Sequence, residues 1–526
     1  MVDYIVVGAG SAGCAAAARL SEKHDQSVLL LEQGARDLNP YIHIPATYFK
    51  VTRTHAVSSY QLEPIRGQNG RVQTMLQGNV LGGGSSVNGM VYVRGAPHDY
   101  DEWQQNGCAG WGYRDVLPFF KRAEDNDSLA GDAHGSGGPL GVSGQKYTHP
   151  LTKEWLKACQ EFGMPYNPDF NSGKQEGCGL YQLTARGGLR SSSVSYLRQA
   201  KGRANLTVQT HVKVRRILFR QGRAVGVEYL KGGQSKVVYA DREIILCAGA
   251  FGSPHLLLRS GVGPADHLRD VGVPVVHDLP GVGQNLQDHI SLFMVYELND
   301  AFSYDKYKKL RWQAWAGLQF GLFRSGPATS NIIEGGAFWY GDKAARFPDL
   351  QLFFFPGAGI EPGMGEVPSG NGCTIDFMQA KPKSRGTLRL RSSDPFSAPA
   401  IDPNYLAEEH DLSCLVEGVK MGEEIMRHPA IARYLRRCFV PNEKLETRRD
   451  YEEFVRREAQ PGIHPTGTCK MGIDDMAVVD PRLRVQGIDG LRVADASIMP
   501  TVPSGNTNAP SIMIGERVAD FIINHS

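Results

Sequence analysis

Asp3-Tyr4-Ile5-Val6-Val7-Gly8-Ala9-Gly10-Ser11-Ala12-Gly13-Cys14-Ala15-Ala16-Ala17-Ala18 is an apolar strand that runs straight into a glycine turn and then an alanine-rich helix. A second apolar strand follows at Ser27 to Leu31, ending on Glu32, so the first thirty-odd residues read as one βαβ unit. In that setting the glycines have separate tasks. Gly8 makes the tight turn, Gly10 lets main chain approach a pyrophosphate, and Gly13 lets helix lie close on strand, with Ser11 and Ala12 completing the motif. Glu32 is placed to accept from ribose hydroxyls and disfavours a 2′-phosphate. A glycine turn with no ligand is the competing reading.

Two more small-residue runs lie outward from this one. Leu81-Gly82-Gly83-Gly84-Ser85-Ser86-Val87-Asn88-Gly89-Met90 offers uncovered backbone N–H groups through Gly83 and Ser85, which suits a phosphate or an isoalloxazine edge, and equally suits a plain loop. Gly249 to Gly263 reads as a turn from the buried strand Glu243 to Gly249 into a helix. Ala35 to Asn79 is long and irregular, as a cover over a ligand often is. Farther on, Leu350 to Phe355, Cys373 to Met378 and Thr387 to Leu390 read as strands of an antiparallel sheet, with Leu412 to His428 a helix on it. Gly357 to Gly372, rich in glycine and proline, reads as a mobile lid. Ser511 to Asn524 closes the chain as an amphipathic helix.

Taken in order, the glycine-rich start, the 81–90 and 249–263 blocks, and the C-terminal runs His464 to Gly472, Arg492 to Pro500 and Ser504 to Ile522 resemble the signatures of the glucose-methanol-choline (GMC) family of flavin oxidoreductases over essentially the whole chain. Within it, Asp305 to Leu310, Phe323 to Pro327 and Glu334 to Tyr340 are most similar to the bacterial L-sorbose dehydrogenases. The resemblance implies an α/β fold: a Rossmann-like FAD-binding domain with a second α+β substrate domain on an antiparallel sheet. The expected division is 1–148, 202–296 and 460–526 for the FAD-binding domain, and 149–201 with 297–459 for the substrate domain. The expected activity is FAD-dependent alcohol or polyol dehydrogenation, in which hydride passes to flavin N5 and electrons go on to a quinone-like or other acceptor. L-sorbose to L-sorbosone, or a related primary alcohol to aldehyde, is the expected substrate class.

The same resemblance marks His464 as the base that takes the hydroxyl proton, a role that suits an imidazole titrating near 6.5. Asn506 matches the second catalytic position, and its amide can hold the substrate oxygen without competing for the proton; a turn asparagine is the alternative. Asp495, Asn88, Met90, Asn508 and the backbone of Val214 are implied at the cofactor. Some relatives attach the flavin through a histidine where this chain has Val87, so noncovalent FAD is expected. Glu334 is a possible substrate contact, or an ordinary salt-bridged glutamate. Ile463 stands where relatives often carry an aromatic residue, leaving the pocket wall open. His255, His277 and His289 are assigned no role.

Composition narrows the partners. Lys plus Arg number 57 against 55 Asp plus Glu, with no long block of either sign, so no nucleic acid is expected. No apolar run is long enough to span a bilayer and no signal-type segment opens the chain, which reads as cytoplasmic. Nine scattered cysteines imply neither a disulfide framework nor a metal site. Three other readings compete: a GMC alcohol oxidase using O2 on a non-sugar alcohol, a non-catalytic flavin-binding protein, and an NAD-dependent dehydrogenase sharing only the first motif.

Overall fold

The computed structural model describes residues 1–299 and 303–524. Fourteen strands and six helices position the site. They are β1 (Val2–Val7), α1 (Ser11–Leu20), β2 (Val28–Leu31), α2 (Pro150–Phe162), β3 (Gly177–Leu180), β4 (Leu206–Gln209), β5 (Val212–Arg220), β6 (Arg223–Lys231), β7 (Gln234–Leu246), α3 (Gly249–Arg259) and β8 (Ile290–Leu298). After them come α4 (Leu310–Phe323), β9 (Gly335–Trp339), β10 (Leu350–Phe355), β11 (Gly372–Gln379), α5 (Glu409–Arg427), β12 (Leu435–Val440), β13 (Gln460–Pro461), β14 (Leu491–Val493) and α6 (Asn508–Asn524).

The first sheet has the order β4-β2-β1-β7-β6-β5, with β14 on β7. β1 pairs in parallel with β2 and β7, and parallel strands covered on both faces need continuous apolar runs, which is what Ile5 to Val7 and Val28 to Leu31 supply. β7 changes partner along its length. Gln234 to Tyr239 pairs antiparallel with β6 as an exposed ribbon, while Glu243 to Leu246 pairs in parallel with β1 and enters the core. α1 is held between this sheet and α6, close enough that a Cβ on Gly515 would lie 2.3 Å from the Ala12 carbonyl oxygen.

The second sheet, β12-β8-β11-β10-β9-β3 with β13 on β8, is antiparallel throughout. Its central strands β8, β10 and β11 are buried on both faces, and the two-residue period sorts the side chains. Leu292, Met294, Leu352, Phe354, Ile375 and Phe377 join the core under α2 and α5, whereas Ser291, Phe293, Phe353, Phe355, Asp376 and Met378 face a cavity between the two sheets.

Three expectations change in detail. Thr387–Arg389 pairs only with Ala400–Asp402 and is no part of the large sheet. β8 begins in the second sheet at Ile290, so the chain enters that sheet ahead of the expected boundary at 296. α6 starts at Asn508 and not at Ser511, because Pro510 sits in the first turn, where the missing N–H costs nothing. All nine cysteines are free thiols, and all but Cys438 are buried.

Candidate active site

The cavity between the sheets has a volume of about 870 Å³, within the range of roughly 300–1,000 Å³ common for ligand pockets. Gly8, Gly10, Ser11, Ala12, Glu32 and Val214 line it on the side of the first sheet, and His464, Ile463 and Asn506 line it toward the second. Gly83, Asn88, Met90, Asp495 and Asn508 also reach it. Its wall takes in the N-terminal turns of α1, α3 and α6, whose unpaired N–H groups make it hospitable to anionic groups.

The glycines test whether a dinucleotide fits. A Cβ on Gly10 would meet nothing nearer than the Cys247 carbonyl oxygen at 3.9 Å, and on Gly84 or Gly249 nothing within 4 Å, so at these positions bare main chain faces open cavity. Gly13 differs. Its Cβ would lie 1.9 Å from the Gly8 carbonyl oxygen, so it serves the close packing of helix on turn and does not line the cavity. The Glu32 carboxylate accepts from the N–H groups of Ala9 and Gly34, each at 2.8 Å, and clamps the turn to the end of β2. Burial raises the Glu32 pKa, and those backbone N–H groups oppose the rise. The lining is thus a cradle suited to FAD.

Other predicted residues have local supporting roles. Ser85 lies behind the cavity, its hydroxyl bonded to the Gly82 carbonyl and the Ser193 hydroxyl. Asn88 accepts from Arg190 at 2.7 Å, and Met90 holds a left-handed backbone at φ 66°. Asp495 accepts from Gly249 N–H and the Ser253 hydroxyl, fixing the start of α3, and Asn508 accepts from the Ser11 hydroxyl at 2.8 Å, joining the starts of α1 and α6.

His464 sits on a short antiparallel pairing of residues 462–466 with 287–289, closed by Gly462 N–H to the His289 carbonyl and by mutual bonds between Gln287 and Thr466. Asp288 accepts the His464 backbone N–H at 2.5 Å and takes the Tyr405 hydroxyl on its other oxygen. The next residue, His289, holds the ring, with its Nδ1 3.0 Å from His464 Nδ1. One dipeptide therefore fixes both the backbone and the imidazole of His464.

These contacts determine where the protons lie. His289 Nε2 is 3.1 Å from the Ala380 carbonyl oxygen, which only accepts, so the His289 proton is on Nε2. Burial lowers the His289 pKa to about 4, so the ring is neutral and its Nδ1 accepts. His464 must then donate from Nδ1, leaving the lone pair on its Nε2, 3.2 Å from the Asn506 amide nitrogen. Gln351 donates to Asn506 Oδ1 at 3.3 Å and turns that NH2 group toward His464. Burial first, and His289 second, push the His464 pKa well below 6.5, so it titrates lower than the free imidazole value expected from sequence. A neutral imidazole with its lone pair aimed into the cavity is a proton acceptor.

Ile463 holds φ 63°, a conformation that a β-branched residue adopts only when its surroundings impose it. Glu334 requires a correction. It is fully buried away from the cavity, one oxygen accepting from the Tyr304 and Ser330 hydroxyls and the other from His149 N–H and the Thr152 hydroxyl. It braces the second domain and does not line the cavity. Glu334→Ala should destabilise the fold by about 3 kcal/mol or more, because it strands four buried donors. The KM of the surviving enzyme should stay unchanged; a raised KM with unaltered melting would return Glu334 to the substrate.

Sequence reasoning did not single out Asp288 and assigned His289 no role, although two titratable residues directly ahead of the buried strand β8 were a visible anomaly. It also missed two cavity-facing carboxyls. Asp376 accepts from the Ser291 hydroxyl and Glu361 from the Tyr48 hydroxyl at 2.5 Å. Burial raises the Asp376 pKa to about 8 and also raises that of Glu361. Glu361, Pro362 and Gly363 bring the 357–372 segment to the cavity wall. Among the described residues no cluster of His, Cys, Asp and Glu is arranged for a metal ion.

Comparison with known proteins gives the same picture. Family models described as GMC oxidoreductase match residues 2–291 and 382–515. An oxygen-dependent choline dehydrogenase of Sinorhizobium fredii is 42% identical over 99% of this chain and 95% of its own. The alcohol dehydrogenase [acceptor] of Pseudomonas putida is 39% identical over 99% and 96%. The crystal structure of pyridoxine 4-oxidase from Mesorbium loti superposes with a TM-score of 0.91 at 31% identity, covering 100% of both chains.

Proposed function

The chain belongs to the GMC oxidoreductases, and from that premise we propose that it oxidises a primary alcohol to its aldehyde with His464 as base and Asn506 as holder of the alcohol oxygen. GMC oxidoreductases bind FAD and act on CH–OH donors, and this chain is an enzyme of that kind. The observation that carries the residue assignment is the line Asn506–His464–His289 at the edge of the glycine-lined cavity.

FAD, when bound, supplies the acceptor for the electron pair of the breaking C–H bond. Backbone at Gly8, Gly10, Gly83 and Gly249 and the side chain of Glu32 would hold it, noncovalently, since Val87 offers no nucleophile for attachment. The remaining chemistry belongs to the protein. The alcohol hydroxyl takes the place of the Asn506 contact on His464 Nε2, and the Asn506 amide donates to the alcohol oxygen. His464 removes the hydroxyl proton as the C–H bond opens, and Asn506 steadies the negative charge that gathers on oxygen. His289 is a positioning residue, because its acceptor Nδ1 keeps the His464 proton off Nε2.

The substrate side of the cavity is lined by Tyr48, Phe293, Ile333, Phe353, Phe355 and Met378, with Asp376 and Glu361 among them. Such walls favour an alcohol with an apolar or aromatic body over a polyol. Removing Glu334 from the site takes away the acid expected to receive a sugar hydroxyl, and the relatives named above are named for choline, alcohol and pyridoxine. L-sorbose is accordingly the weaker expectation. Anaerobic mixing with straight-chain primary alcohols, choline, pyridoxine and L-sorbose tests this. Flavin bleaching should be fastest with one of the first three, and fastest bleaching by L-sorbose would overturn the reading of the pocket. Admitting air or a quinone to the reduced enzyme then separates oxidase from dehydrogenase, with faster recovery expected from the quinone.

A further inference from the structure

α4 is apolar on the side that faces solvent. Only Ala316 and Phe320 along it are buried, while Trp315, Leu318, Leu322 and Phe323 are between 55% and 72% exposed, and Leu310 and Trp312 are exposed as well. A surface helix ordinarily buries its one apolar stripe; here the buried stripe is two residues and the apolar side chains continue around the outside. The flanks are basic. From Lys306 to Ile333 there are five cationic side chains and no carboxylate, in a chain whose overall balance is only +2. Lys308 is bound to Asp305 and Glu366, but Lys306, Lys309, Arg311 and Arg324 make no ion pair among the described residues. Lys306, Lys309 and Arg311 gather at the N-terminal end of the helix, where the helix dipole favours acids, so their placement serves something other than the helix.

We propose that α4 is a docking surface for an anionic lipid bilayer. The helix lies in the plane of the headgroups with Trp315, Leu318, Leu322 and Phe323 entering the acyl boundary, and Lys306, Lys309, Arg311 and Arg324 meeting lipid phosphates. Trp312 and Trp315 sit at the depth where indole is favoured, with an apolar ring and a polar N–H. With fourteen residues it extends about 21 Å, too short to span, and no helix among the described residues is long and apolar enough to cross a membrane. The charge complementarity selects a bilayer over a second copy, since pairing α4 with itself would bring two unneutralised cationic flanks together. Lys308 ties the base of α4 to the 357–372 segment through the Ala358 carbonyl oxygen at 2.9 Å and Glu366 at 3.0 Å, and that segment lines the active cavity through Glu361 to Gly363. Docking would set the cavity beside the phase that holds lipid-soluble alcohols and acceptors.

The test is sedimentation of the FAD-loaded enzyme with vesicles of equal parts phosphatidylglycerol and phosphatidylcholine, against phosphatidylcholine alone. Binding should be at least about tenfold tighter to the anionic vesicles, weaken as salt is raised and shift tryptophan emission to the blue. The triple variant Trp315→Ser, Leu318→Ser, Leu322→Ser should stay in the supernatant while keeping dye-linked alcohol oxidation. Failure of the wild type to bind, or equal binding by the triple variant, would overturn the proposal. So would a concentration-dependent dimer abolished by the same substitutions without vesicle binding, which would assign the face to a second copy. The result is independent of which alcohol the active site takes.

Discussion

His464→Ala should slow flavin reduction by the best alcohol by about a thousandfold, within the usual reach of general-base catalysis at a positioned side chain. The enzyme loses the imidazole lone pair placed beside the Asn506 amide, and Asn506 alone cannot take a proton. FAD content and melting temperature should be retained, because the backbone anchor from His464 N–H to Asp288 survives the substitution. Rapid anaerobic mixing reads the rate directly. A variant that bleaches at the wild-type rate would remove His464 from the mechanism, and one that lacks FAD would show that the ring supports the cofactor site instead.

Gly13→Ala should yield protein without FAD. The added Cβ would sit 1.9 Å from the Gly8 carbonyl oxygen and 3.0 Å from its carbon, both main chain, so α1 has to move off the turn. Overpacking of this kind costs typically 1–3 kcal/mol, and here the displacement falls on the cofactor cradle. Gly10→Ala makes the contrast. Its Cβ clears the protein, with the Cys247 oxygen 3.9 Å away, and points into the cavity, so the apoprotein should melt as the wild type does while FAD binding weakens. Absorbance of the isolated proteins and melting curves with and without added FAD distinguish the two. If Gly10→Ala binds FAD normally, the turn is a structural glycine motif and not the cradle.

How much of this was legible depended on how local the signal was. The βαβ start was readable because one segment carries the strand, the turn, the helix and Glu32. β10 was readable to the residue because the short run Leu350 to Phe355, apolar except for Gln351 and closed by Pro356, has few other homes. The setting of Glu334 was not legible, because its four donors come from residues 149, 152, 304 and 330, which no local pattern connects. The support for His464 was hidden for a similar reason: Asp288 and His289 lie more than 170 residues away in sequence and meet it only through the pairing of 287–289 with 462–466. Asp376 stayed invisible because which face of a doubly buried strand meets a cavity is a property of the second sheet, not of the strand, and Glu361 because it lies in the irregular 357–372 segment, whose approach to the cavity no local pattern gives.

The central claim is that a neutral His464, held with its lone pair on Nε2, is the proton acceptor. Its pKa is lowered by burial, so the protonated, inactive form accumulates only below the ordinary imidazole value of 6.5. The measurement is the pH dependence of the anaerobic flavin-reduction rate in wild type and His464→Ala. The wild-type rate should be flat from about pH 7 upward and fall by about tenfold per unit once pH drops below the His464 pKa, and the variant should lose that acidic limb. A wild-type rate that declines as pH rises through neutrality, or an acidic limb that persists in His464→Ala, would contradict the account.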